Sequence, residues 1–224
     1  MTYYLLPKTS INIQNYIKIK HDDDIPNVFL SFSLSKYLSS MKEKIDKYGI
    51  EWDNYKKFTN PYEFIHTVIP GKNKSVSKYK PLSRSYFKMI EIMNLLKINI
   101  NEEYPIKSFH LAEGPGGFIE ALLQTRNNKE DLYIGMTILN DNDANVPGWK
   151  KSNIFLNKNK NVFIEKASDG TGDILNIDNF QYCYDKYKNS MDIITADGGF
   201  DFSHDFNNQE INISNLLFGQ IAYA

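Results

Sequence analysis

Beyond residue 80 the chain alternates short apolar runs with stretches in which apolar residues return every three or four positions. The runs at Ser108–Ala112, Leu132–Met136, Asn161–Glu165 and Met191–Ala196 have strand length and predict four strands. Helices are predicted between them at Gly117–Thr125 and Phe180–Lys188, and a last one through Ile213, Leu216, Leu217, Gln220 and Ile221 up to Ala224. Before the first strand, Phe87, Ile90, Met93, Leu95 and Leu96 recur at near-helical spacing, with Ser83 placed to cap that helix and Lys88 in its second turn. Strands and helices in this order predict an α/β fold of Rossmann-like type, a sheet flanked by helices.

Residues 1–80 read differently. They are rich in Tyr, Lys and Asp, are interrupted by Pro7, Pro26, Pro61 and Pro70, and contain one amphipathic pattern: Leu34, Tyr37, Leu38, Met41, Ile45 and Tyr48. That helix is expected to pack on the main domain. The segment Gly71–Lys80 is basic and turn-forming, and its Gly-Lys-x-Lys-Ser string lacks the first glycine of a phosphate-binding loop. The chain is therefore divided into an N-terminal extension, 1–80, and a main domain, 81–224.

Charge and cysteine content narrow the function. Lys and Arg number 26 against 27 Asp and Glu, so no global positive field marks a non-specific nucleic-acid binder, and any such contact must be local. The single Cys183 excludes an internal disulfide framework and a Cys-based zinc cluster, and fits a reducing compartment. His110, His204 and Asp205 have no recognised ligand spacing, so no metal is expected. No stretch approaches the roughly 20 apolar residues of a membrane span, and a soluble, cytoplasmic protein is expected.

The strongest local signal is Phe109-His110-Leu111-Ala112-Glu113-Gly114-Pro115-Gly116-Gly117-Phe118, a strand running through a glycine turn into a helix. Such a turn lets backbone approach a ligand closely, and a helix start presents N–H groups to it. The spacing is not Gly-x-Gly-x-x-Gly, which disfavours a dinucleotide. A second run, Asp192-Ile193-Ile194-Thr195-Ala196-Asp197-Gly198-Gly199-Phe200, ends a strand in a carboxylate and puts Asp197 on the same rim of the sheet as Glu113.

These two runs, with Ile134-Gly135-Met136-Thr137 and Asp169-Gly170-Thr171-Gly172-Asp173-Ile174 between them in the expected order, resemble the FtsJ-like RNA 2′-O-ribose methyltransferases. The resemblance covers about Leu82 to Ala224 and is strongest to cap-specific mRNA 2′-O-methyltransferases and their relatives in large cytoplasmic DNA viruses, where the location would be the host cytoplasm. It implies an S-adenosylmethionine-dependent sheet, held by Glu113, Gly114, Pro115, Gly116, Gly117 and Phe118 around the methionine part. Asp173 is implied as a partner of the adenosine, a helix cap being the alternative for that residue.

The family uses a Lys-Asp-Lys-Glu tetrad. Its first lysine falls on Lys88 and its aspartate on Asp197, whereas the second lysine and the glutamate have no match in this sequence. The resemblance thus implies transfer to RNA, including capped mRNA, by a sheet incomplete at its C-terminal side. The alternative reading is a catalytically incomplete module that binds S-adenosylmethionine or RNA, or serves as a scaffold subunit. Self-association or a partner chain would complete such a sheet. Lys72, Lys74, Lys78, Lys80 and Arg84 form the best basic run for RNA, with Tyr79 and Tyr86 as stacking faces.

Overall fold

The computed structural model describes residues 31–48, 51, 55, 58–69, 71–96, 104–140, 146, 148–199 and 209–224. The chain divides into two compact units, Met1–Lys44 and Ile45–Ala224. Helix α1, Phe32–Asp46, begins in the first unit, and the Ser31 side chain caps it by accepting from the Leu34 amide. It coincides with the expected amphipathic helix, except that Tyr48 lies beyond its end.

The second unit is built on a four-stranded parallel sheet in the order β3-β2-β1-β4. The strands are β1 (Lys107–Leu111), β2 (Leu132–Met136), β3 (Val162–Glu165) and β4 (Ile193–Ala196), with α2 (Ser85–Leu96) ahead of them. Helices α3 (Gly117–Arg126), α4 (Asn153–Lys158) and α5 (Ile177–Tyr187) connect them, and α6 (Gln209–Tyr223) closes the chain. This is the Rossmann-like α/β architecture expected from the sequence.

Side chains alternate between the faces of a strand, and here each face has its own core. Phe109, Leu111, Ile134 and Met136 pack with Ile174, Cys183 and Leu216 on the side of α5 and α6. Tyr133 and Val162 pack with Met89, Met93, Phe118, Ile119, Leu122 and Trp149 on the side of α2 and α3. The inner strands β1 and β2 are buried on both faces, whereas β3 and β4 are partly exposed.

On the second face β1 contributes two polar residues, Ser108 and His110, both fully buried. His110 Nε2 lies 2.8 Å from Ser108 Oγ and Nδ1 lies 2.7 Å from Thr195 Oγ1, so both ring nitrogens are satisfied between β1 and β4. With no charge beside it, burial pushes the imidazole down to about 3 and keeps it neutral.

The turn from α3 into β2 rests on a buried ion pair. Arg126 Nε and Nη2 donate to the two oxygens of Asp131 at 2.6 and 2.8 Å, and Arg126 Nη2 also donates to the Tyr104 carbonyl. Asp131 further accepts from Tyr133 Oη at 2.6 Å and the Ile106 amide at 2.9 Å, which ties the entries of β1 and β2 to one carboxylate.

The segment Gly71–Lys80, expected to be basic and turn-forming, consists of turns and bends held by backbone bonds. Ile69 and Lys74 form an antiparallel bridge around a turn with Gly71 and Asn73 at positive φ, and the amides of Val76 and Ser77 donate to the carbonyls of Phe64 and Ile65. Its lysines, Lys72, Lys74, Lys78 and Lys80, are exposed.

Candidate active site

The connections β1-α3-β2-α4-β3 run to one side of β1, and the chain then returns through α5 to place β4 on the other. The carboxyl ends of β1 and β4 therefore flank a topological switch point, where ligands of open α/β sheets bind. Glu113 follows β1 and Asp197 follows β4. Helix α2 supplies the third wall.

Lys88, one turn into α2, reaches across to Asp197. Its Nζ lies 2.9 and 2.7 Å from the two carboxylate oxygens, and the Lys88 and Asp197 side chains remain 54% and 35% exposed. The pair is thus open to a ligand. It bounds a cleft of about 190 Å³ lined by Ser83, Arg84, Ser85, Ala112, Glu113, Gly114 and Pro115 as well.

The glycine turn is shaped by close contacts. A Cβ on Gly114 would sit 2.5 Å from the Gly148 carbonyl oxygen and 2.9 Å from Thr137 Cγ2, so this position accepts only glycine without moving backbone. A Cβ on Gly117 would collide with the hydroxyls of Ser83 and Ser85, which bond to each other at 2.5 Å over the start of α3. Gly116 precedes that helix with φ 109°. The Ser83 hydroxyl is directed to Ser85 and not to a backbone amide, so the expected cap of α2 is replaced by contact with α3.

Glu113 turns inward. Its Oε1 accepts from the amides of Phe118 at 2.8 Å and Ile119 at 3.1 Å, so the carboxylate itself caps α3 and two N–H groups expected to face a ligand are occupied. Burial pushes the carboxyl up to about 8, against the pull of those two amides, and the nearby Asp197 adds to the rise.

The cleft thus brings together Lys88, Glu113, Gly114, Pro115 and Asp197, with Gly116, Gly117 and Phe118 forming the turn behind it. Asp173 lies on the loop after β3, beyond that of β2. Its Oδ1 accepts from the Leu175 amide, while Asn176 caps α5 by accepting from the Asp178 amide. The loop of Asp173 is stitched to the end of β2: Leu139 donates to the Thr171 carbonyl at 2.7 Å, and Gly172 packs on the Thr137 carbonyl. A cavity of about 340 Å³ beside it is lined by Leu139, Asn140, Gly148, Trp149 and Lys166 among others.

Two contributors had no sequence signal. Trp149 lays its ring against Gly116 and Gly135 from a segment without periodicity. Glu120, only 6% exposed, accepts from Tyr79 Oη at 2.5 Å and from the Leu82 amide at 2.7 Å, holding the approach to α2 against α3. Tyr79 and Tyr86, read from sequence as stacking faces, stand with ring centroids 5.3 Å apart and both contact Gln124. Burial raises the Tyr79 phenol to about 12, helped by its bond to Glu120. His204 and Asp205 lie outside the described residues. A cavity of about 290 Å³ between α5 and α6 opens beside residues 188–191, which precede β4, away from this rim.

A family model described as FtsJ-like methyltransferase matches residues 81–224. A cap-specific mRNA (nucleoside-2′-O-)-methyltransferase 2 of Drosophila melanogaster is 23% identical over 204 residues, 85% of this chain and 28% of that protein. An uncharacterised protein of Acanthamoeba polyphaga mimivirus is 25% identical over 215 residues, 92% of this chain and 25% of that one. The chain thus spans about a quarter of the length of these relatives. With a family match over most of its length, on the parallel sheet that carries the Lys88–Asp197 rim, the chain belongs to the FtsJ-like methyltransferases.

Proposed function

We propose that this chain carries the cofactor half of an S-adenosylmethionine-dependent RNA 2′-O-ribose methyltransferase acting on capped mRNA. The observation that carries the reading is the Lys88–Asp197 pair, which joins α2 to the end of β4 beside the Glu113–Gly117 turn. What supports the cofactor is a cleft walled by Glu113, Gly114 and Pro115, with the Glu113 carboxyl beside it for a cationic group, and Asp173 farther along the same rim for a ribose.

S-adenosylmethionine supplies a methyl group on a sulfonium, which passes in line to a hydroxyl oxygen while that oxygen loses its proton. The chain's own part is to position and stabilise. Lys88 holds the ribose hydroxyl and offsets the negative charge that grows on its oxygen, and Asp197 fixes the direction of the lysine. The turn from Glu113 to Phe118 seats the methionine end, and Asp173 receives the adenosine end. The proton acceptor of the family's tetrad, its second lysine, has no match among these residues.

A second reading is a module that binds the cofactor or RNA without turnover. Methyl transfer to capped and uncapped RNA, with the product digested to nucleosides and the methylated position identified by mass spectrometry, separates the two. A 2′-O-methyl nucleoside, formed on capped RNA in preference, is expected. Cofactor binding without transfer would establish the second reading, and methylation of a base would overturn the ribose assignment.

A further inference from the structure

The two carboxylates of the cleft are not equivalent. Both oxygens of Asp197 are taken by Lys88. Glu113 commits Oε1 to the start of α3, whereas Oε2 accepts no hydrogen bond among the described residues. Yet the residue lines the cleft and is only 6% exposed. A carboxylate oxygen that no neighbouring protein group satisfies, at the wall of a cleft, is met by water, by a proton or by a cation that enters.

We propose that Glu113 is the specificity-determining residue that makes this site prefer a sulfonium over the neutral thioether left after transfer, with Oε2 facing the positive centre. The inference rests on the cofactor reading above. When the methyl carbon leaves, the electrons of its bond stay on sulfur, the new bond forms to the hydroxyl oxygen, and the hydroxyl proton passes to water. The bound ligand thereby loses one positive charge. Glu113 then faces a neutral sulfur, its ionised form is no longer favoured, and the spent ligand is held less tightly than the fresh one.

The charged groups around Glu113 permit this. Asp197, after β4, is neutralised by Lys88 from α2, and Arg84 stands at the exposed start of α2. The 114–117 turn and Thr137 at the end of β2 carry no charge. Burial already holds the free carboxyl up to about 8, so near neutral pH a cation must displace its proton, and preference for the sulfonium grows as pH rises.

The test is calorimetric titration of the full chain with S-adenosylmethionine and with S-adenosylhomocysteine, at pH 6.5 and 8.5, for wild type and Glu113→Gln. Glutamine keeps an oxygen for the Phe118 and Ile119 amides, so α3 stays capped, and a melting curve verifies folding. Both ligands share the α-amino group, so its titration cancels in the affinity ratio. Wild type should favour the sulfonium by about tenfold or more at pH 8.5 and less at 6.5, and Glu113→Gln should bring the two ligands within about twofold at both.

A wild-type ratio unchanged in the variant would overturn the proposal and leave the cofactor reading intact. Failure of wild type to bind either ligand would overturn that reading itself. If the variant does not fold, wild type titrated in buffers of different ionisation enthalpy decides: proton release on binding the sulfonium and not the thioether supports the proposal, and equal release with both contradicts it.

Discussion

At the scale of single residues, the site depends on groups whose neighbours dictate their state. Lys88→Met and Asp197→Asn each remove half of the ion pair that joins α2 to the end of β4. We expect each to lower methyl transfer by about 10²-fold or more, measured in single-turnover assays, while leaving S-adenosylmethionine affinity within about threefold. Loss of binding in parallel with loss of transfer would place the pair in ground-state recognition instead. Gly114→Ala works the other way. Its Cβ would meet the Gly148 carbonyl oxygen at 2.5 Å, a backbone atom, so the turn must shift. Titration should show cofactor affinity lowered by about tenfold or more with the sheet still folded. The family resemblance named Lys88, Asp197 and the Glu113–Phe118 turn, and the structure brings Lys88, Asp197 and the start of that turn to one cleft. The inward direction of Glu113 was not legible in sequence, since nothing in Glu113-Gly114-Pro115 tells a capping carboxylate from one that faces solvent.

At the scale of elements, the strands were found close to their ends because each is a short apolar run of strand length bounded by polar or turn-forming residues. Helix α4 was missed: Asn153–Lys158 is six residues long, too short for a helical period to declare itself. Two polar ties that no pattern announces set how elements meet. Asp131 binds Arg126, Tyr133 and the Ile106 amide where α3 enters β2. Burial alone would raise its carboxyl, yet the bonds from Arg126 and Tyr133 hold it below the usual range. Asp131→Ala would remove the carboxylate that neutralises the buried Arg126 charge, and urea unfolding should register a loss of about 3–5 kcal/mol. Glu120 ties Tyr79 and Leu82 to α3 and so fixes the start of the helix that carries Lys88. Glu120→Ala should therefore slow methyl transfer more than it weakens cofactor binding, a split that steady-state and binding measurements on one preparation would expose.

At the scale of the whole molecule, reversal of strand order between β1 and β4 creates the cleft, and the chemistry follows from which residues end those strands. Two buried groups give stability a pH dependence with opposite signs. His110, held down to about 3, refuses a proton that the unfolded chain accepts below about 6.5, so its contribution falls as pH drops from 6.5 towards 3. Glu113, held up to about 8, keeps a proton that the unfolded chain releases above 4.5, so its contribution falls as pH rises from 4.5 to 8. Between 4.5 and 6.5 the slopes oppose. Above 6.5 only Glu113 acts, and urea unfolding should show a decline on the order of 2 kcal/mol by pH 8.5 that Glu113→Gln abolishes. Everything proposed for this rim depends on its binding S-adenosylmethionine, and calorimetric titration of wild type beside Asp173→Ala is the decisive measurement. One saturable site is expected in wild type, with weaker binding in the variant. A folded wild-type chain that takes up no S-adenosylmethionine would overturn the proposed function.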